Sequence, residues 1–181
     1  MMKEISMHML DIVQNSVRAG AGRIAIELIE DPREDKLVLS VSDDGCGMSP
    51  EFLASVRNPF TTSRTTRKVG LGIPMLEQTC LQCGGILSIE SEEGKGTIIR
   101  AEMAYNHIDR PPVGDMVHSV YILMLTNQDT ILTYRHQYNE NVFSIDTAEI
   151  KEILGDVPMD EPEVSRWLMD TLTEGIQDLR A

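Results

Sequence analysis

The sequence predicts an α+β protein, with a two-layer α/β sandwich over about residues 1–107 and a small α+β unit, a hairpin plus helices, over 108–181. Three observations carry this. Ile5, Met9, Ile12, Val13 and Ser16 recur at helical spacing near the start. Apolar residues alternate in Arg23 to Glu30 and again in Lys36 to Asp43, the mark of half-buried strands. Asp109-Arg110-Pro111-Pro112-Val113-Gly114 interrupts both periods and marks a boundary.

Residues 3–19 therefore read as an amphipathic helix that ends at Ala19-Gly20-Ala21-Gly22. The two strands that follow are joined by Asp31-Pro32-Arg33-Glu34-Asp35 and read as a hairpin. Ser49-Pro50-Glu51 is a helix start: a capping hydroxyl, proline at the first helical position and an acid in the first turn. Arg57 to Val69 is polar and reads as a loop. Gly70 to Gln82 is helical and stops at Gly84-Gly85. Ile86 to Ser91 and Thr97 to Ala104 are strands around a glycine-rich turn. Beyond the boundary, Val117 to Leu125 and Thr130 to Tyr138 read as strands with Asn127-Gln128-Asp129 as the turn, and 147–154 and 161–179 as helices. Trp167, Leu168 and Leu172 fall at helical spacing, as a core face or a docking face.

Composition narrows the function classes. With 41% hydrophobic and 25% charged residues in 181, the chain is globular rather than disordered. Few aromatics and 11 methionines imply an aliphatic, methionine-rich core. The net charge of -13 opposes nucleic acid and anionic membranes as primary partners. Three cysteines (Cys46, Cys80, Cys83) do not make a disulfide framework, and Cys80-Leu81-Gln82-Cys83 lacks a second pair to complete a metal site. The longest strongly apolar run, Val120 to Leu125, is too short to span a bilayer, and no signal peptide is evident, so the expected location is cytoplasmic. His107, His118 and His136 have no ligand spacing and are expected at the surface or in strands.

Four short segments carry chemistry. Asp11 and Asn15 share one helix face, with His8 one turn earlier. Asn15 offers a neutral oxygen to a hard cation such as Mg2+, and Asp11 a carboxylate that can orient or deprotonate water. Asp43, at a strand end, can accept a hydrogen bond from an exocyclic amine such as adenine's, with Gly45 and Gly47 permitting close backbone approach and Met48 an apolar wall. Gly70 and Gly72 open a helix just after Arg64-Thr65-Thr66-Arg67-Lys68, so free N–H groups and the charges of Arg64 and Lys68 make an anion site. Gly94-Lys95-Gly96-Thr97 is a hairpin turn. Each segment alone also has an ordinary structural reading: a solvated helix face, a glycine turn, a charged loop.

In this order and spacing the four segments resemble the ATP-binding fold shared by DNA gyrase, the ninety-kilodalton heat-shock chaperones, histidine kinases and MutL, the GHKL superfamily. The resemblance covers about residues 1–105, and Asn58-Pro59-Phe60-Thr61-Thr62-Ser63 is also similar to the segment before the lid of histidine kinases. It implies a mixed sheet with helices on one face, and ATP and Mg2+ as cofactors. It implies that Asn15 holds Mg2+, that Asp43 binds the adenine amino group and that Gly45 and Gly47 line its pocket. Gly70, Leu71 and Gly72 would sit at the phosphates, and Thr97 would assist Asp43 through water.

Two departures stand out. The ATP-hydrolysing members carry glutamate where this chain has Asp11, one methylene shorter. Histidine kinases often carry a glycine where this chain has Lys68, which implies a stiffer lid with its own cationic phosphate contact. Ten residues precede Asp11 in this sequence, so the phospho-acceptor helices of a sensor kinase are not expected ahead of it. The layout is closer to stand-alone bacterial members, such as anti-sigma-factor serine kinases and small ATPases encoded beside iron-hydrogenase genes. The expected function is a slow regulatory ATPase that controls a protein partner through 108–181. The alternatives are an anti-sigma-type or histidine-kinase-like protein kinase acting on a separate partner, and a nucleotide sensor or adaptor without chemistry.

Overall fold

The protein, seen in a computed structural model that describes residues 2–58 and 71–181, is built on one six-stranded sheet. Its elements are α1 (Ile5–Arg18), β1 (Arg23–Asp31), β2 (Lys36–Asp43), α2 (Pro50–Ser55), α3 (Gly72–Gln82), β3 (Ile86–Glu92) and β4 (Gly96–Ala104), followed by α4 (Met116–Thr126), β5 (Ile131–Tyr138), β6 (Asn141–Asp146), α5 (Thr147–Leu154) and α6 (Pro162–Asp178). The strand order is β3-β4-β2-β1-β5-β6. β1 and β5 run parallel and every other pair antiparallel, so the sheet is mixed, as the resemblance implies.

Strand alternation sends one set of side chains to the helices. Ile24, Ile26 and Leu28 of β1 stand in register with Val41 and Leu39 of β2 and with Leu132 and Tyr134 of β5, and all are buried. Ile99, Ala101 and Met103 of β4 continue the same face. Onto it pack Ile5, Met9, Ile12 and Val13 of α1 and Ile73 and Leu76 of α3, each contributing roughly 1.5–3 kcal/mol by burial. The other face carries ion pairs, across strands from Arg135 of β5 to Glu27 of β1 at 2.6 Å and along β4 from Arg100 to Glu102 at 2.8 Å.

Residues 108–181 join this same sheet and core. β5 extends the sheet from β1, and Leu168 and Leu172 of α6 belong to the same buried cluster as α1. Two local expectations are corrected here. Val117 to Leu125 is not a strand: it lies within α4, capped by Asp115, whose carboxylate accepts the His118 N–H at 2.9 Å. Its buried residues Met116, Ser119, Val120, Leu123 and Met124 follow a helical period, but the run is so uniformly apolar that the period is hidden among Val120, Tyr121, Ile122 and Leu125. The hairpin partner of β5 is instead β6, a strand the sequence analysis did not assign, entered through Asn139 at φ 51.

Candidate functional site

The sheet, α1 and the two glycine-containing turns bring the predicted polar residues to one end of the covered face. Asp43 closes β2 opposite Thr97 of β4. Both carboxylate oxygens of Asp43 are engaged: Oδ2 accepts the Ser16 hydroxyl at 2.6 Å and Oδ1 accepts the Gly45 N–H at 2.9 Å. Charge-assisted bonds of this length fix the group's direction, and a carboxylate with two oxygens keeps acceptor sites for an external donor. Ser16 is a site residue that the sequence reading assigned to the packing face. Its helical position one residue after Asn15 was the available signal.

A hydroxyl chain lies beside Asp43. Ser91 Oγ donates to the Gly96 carbonyl at 3.1 Å and accepts the Met48 N–H at 2.8 Å. Its single proton is thereby used, so the 2.8 Å contact with Thr97 Oγ1 has Thr97 as donor. The Thr97 oxygen is left able only to accept, which suits a water that donates both to it and to Asp43. Ser91 too escaped the sequence reading, having no spacing signal of its own.

The turn after Asp43 is stitched to both neighbours. Cys46 N–H donates to the Ala19 carbonyl at 2.9 Å, and Gly94 N–H to the Cys46 carbonyl at 2.8 Å. Gly47 has φ 65, and a Cβ there would lie 2.0 Å from the Glu92 carbonyl oxygen, so only glycine lets the turn press against β3. Met48 is half-buried against the core.

Asp11 faces the start of α3. A Cβ on Gly72 would stand 1.5 Å from Asp11 Oδ2, so the missing side chain is what lets the helix backbone meet the carboxylate. Leu71, the N-cap of α3, is 55% exposed, and among the described residues no side chain caps the helix. The first N–H groups, on Gly72 and Ile73, thus have no intrahelical acceptor and point where an anion can bind. Asp11 Oδ2 and Asn15 Nδ2 are buried with no hydrogen-bond partner among the described residues. Orphaned buried polar atoms on one helix face, next to a bare helix N-terminus, are a fit for a phosphate group and its cation.

His8, a turn before Asp11, is only 1% exposed, and burial pulls its pKa down to about 4, so it is neutral at pH 7. Thr79 Oγ1 donates to the Met75 carbonyl at 3.0 Å. The 3.3 Å contact between Thr79 and His8 Nε2 therefore has His8 as donor, leaving Nδ1 bare. His8 ties α1 to α3.

Arg64, Lys68 and Gly70 lie outside the described residues, as does the 58–63 run beyond Asn58. Cys80 and Cys83 are buried and free, and burial pushes the Cys80 thiol up to about 12, which suits a packing role. Among the described residues no group of His, Cys, Asp and Glu is arranged to hold a metal by itself, and no helix is long and apolar enough to cross a membrane. His136 is a buried strand residue.

Comparison with known proteins points the same way. The family described as histidine kinase-, DNA gyrase B- and HSP90-like ATPase matches residues 4–107. The chain is 30% identical over 118 residues to the non-motile and phage-resistance protein of Caulobacter vibrioides, covering 60% of this chain and 14% of that protein. It is 29% identical over 92 residues to the sensor histidine kinase ZraS of Salmonella typhimurium, covering 50% of this chain and 19% of that one. It thus spans less than a fifth of either relative. The N-terminal domain of a DNA repair protein has a similar fold, with a TM-score of 0.53 at 14% identity, over 80% of this chain and 52% of that structure.

Proposed function

The chain belongs to the family of histidine kinase-, DNA gyrase B- and HSP90-like ATPases, and from that premise we propose that it is a Mg-ATP-binding regulatory protein, a slow ATPase whose nucleotide state controls a protein partner. The observation that carries the nucleotide part is Asp43, held through both oxygens by Ser16 and the Gly45 N–H at the open end of the covered face. In this reading Asp43 accepts the adenine amino group. Gly45, Gly47 and Met48 line the ring's pocket, and Thr97 holds the bridging water. Leu71 and Gly72 present backbone to the phosphates, with Gly70, Arg64 and Lys68 completing that side.

Asn15 would hold Mg2+ through its amide oxygen, and the cation supplies charge neutralisation on the phosphates. Asp11 orients the attacking water and takes its proton. Its side chain is one methylene shorter than glutamate, and the close approach of α3 at Gly72 supports a short carboxylate working here.

Residues 108–181 are the proposed route to the partner, and the cytoplasm the proposed location. Similarity to sensor histidine kinases favours a second reading, transfer of the γ-phosphate to a separate protein. The short Asp11 favours a third, nucleotide sensing without turnover.

The test is nucleotide binding and phosphate release with γ-labelled ATP and Mg2+. Asp43→Ala should abolish binding, and unchanged ATP affinity in that variant would sink the proposal. Asp11→Asn should keep binding and lose phosphate release. Label appearing on a co-purified protein would move the assignment to a kinase, and binding without turnover to a sensor.

A further inference from the structure

The two edges of the sheet are treated differently. At the β3 edge, the Arg57 guanidinium donates to the Leu87 carbonyl at 2.9 Å and pairs with Glu77 at 2.9 Å, so a backbone acceptor of the edge strand is already occupied. At the β6 edge, among the described residues, no hydrogen bond other than the ladder to β5 reaches the backbone of Val142, Phe143, Ser144 or Ile145. β6 has no proline, lysine or arginine, and from Asn141 to Ile145 it carries no charge. Unpaired N–H and C=O groups on an uncharged stretch are a template for another strand, and the proline and lysine that commonly blunt an edge are missing. β6 also lies outside residues 4–107, the part that matches the ATPase family.

We propose that β6 pairs antiparallel with β6 of a second copy of this chain, across a twofold axis at Ser144, to make a continuous twelve-stranded sheet. The occupant and the register follow from self-complementarity. Twofold symmetry with both covered faces on one side requires residues of the same face to oppose each other, so the axis falls on a residue and not between two. An axis at Phe143 would place Asp146 opposite Glu140 of the second copy, twice over, and like charges directly opposed are unfavourable. An axis at Ser144 removes that conflict. Ser144 then meets Ser144 of the second copy, Phe143 meets Ile145, and Val142 meets Asp146.

The Phe143–Ile145 pairs lie on the covered face, where Ile145 is already buried and α6 comes close to the Phe143 ring at Gly175. They add an aromatic–β-branched contact on each side of the axis. Val142 is 49% exposed and Ser144 is exposed, so the other face meets no obstacle from its own chain. The net charge of -13 on each copy opposes association, and this repulsion is screened beyond about 8 Å at physiological ionic strength. Pairing should therefore strengthen as salt rises, the opposite of an ion-paired interface.

Sedimentation of the full chain at several concentrations and salt levels tests this. The expected result is a monomer–dimer equilibrium that shifts to dimer with salt, and to monomer in Ser144→Lys, which opposes two ammonium groups at an exposed site, with circular dichroism unchanged. Mild oxidation gives the register. Ser144→Cys should cross-link two chains, because opposed Cβ atoms lie about 4.5–5.5 Å apart. Val142→Cys, displaced four residues from its own copy or about 13 Å, should not. The wild-type chain, with Cys46 exposed, is the control. A monomer at every concentration and salt level, a dimer unaffected by Ser144→Lys, or equal cross-linking of the two cysteine variants would overturn the proposal. ATP binding is read separately, so failure here leaves the nucleotide assignment standing.

Discussion

Ser16 touches the proposed adenine acceptor Asp43 and, in that reading, acts on nucleotide only through it, which makes it a sharp probe of the site. Its hydroxyl makes a 2.6 Å bond to a carboxylate, and bonds to charged groups contribute about 1.5–3 kcal/mol. Ser16→Ala should leave the fold intact, since an alanine suits the helix, and weaken ATP binding about tenfold, the equivalent of ~1.4 kcal/mol. Calorimetric titration of both proteins measures this, and equal affinities would mean that the Gly45 N–H suffices to aim Asp43. At this scale the sequence was informative about which residues form the candidate site and silent on how they are held. Asp43 and Thr97 were legible because glycines beside them mark turns. Ser16 and Ser91 were not, because serine is common in helices and strands and only its tertiary neighbour distinguishes it.

Among the elements, the junction of α1 and α3 is where the proposed hydrolysis is most open to test. Ordinarily Gly→Ala inside or at the start of a helix is neutral or stabilising by up to about 1 kcal/mol. At Gly72 the added Cβ would meet Asp11 Oδ2, the far end of a side chain that can rotate away. Gly72→Ala should therefore keep its melting temperature within a few degrees and lose phosphate release by on the order of a hundredfold, the usual effect of a reacting group misplaced by about 1 Å. Single-turnover phosphate release beside a thermal melt tests it, and retained turnover would show that Asp11 is not the base. Element types were legible wherever a period was clean, as in α1, β1 and β2. They failed at α4, whose apolar run carries no readable period and whose cap at Asp115 was overlooked. β6 was passed over because its exposure alternates only weakly, as befits an edge strand.

Over the whole molecule, a buried polar cluster at the far end of the sheet from Asp43 fastens β5 and the residues just after α6 to β1. Glu30 is fully buried. It accepts from His136 Nε2 at 2.8 Å and from the Arg180 guanidinium at 2.8 and 2.9 Å, while Tyr134 Oη lies 2.9 Å from His136 Nδ1. Burial raises the Glu30 pKa, but the bonds and charges of His136 and Arg180 outweigh it and hold the carboxyl below its ordinary value. A depressed carboxyl pKa stabilises the fold above the unfolded value of about 4.3, and the contribution is lost as pH falls through the lower folded value. Glu30→Gln should cost about 3 kcal/mol at pH 7, near the lower end for breaking a buried pair, because Arg180 is 53% exposed and can turn to water. The gap between the two proteins should narrow below about pH 4. Urea melts across that range measure it, and a gap constant with pH would rule out the charged carboxylate as its source.

By itself the sequence determined the α+β class, the first hairpin, the helices that cover it and the residue types of the candidate site. Those depend on local period and on the turn and helix-end signals that glycines give in the sequence. Only the tertiary structure decided that residues 108–181 extend the same sheet through a parallel β1–β5 pair, that Ser16 and Glu30 make the contacts they do, and that Gly72 meets Asp11. Parallel pairing and buried polar contacts join residues about a hundred positions apart, and no local pattern encodes such a distance.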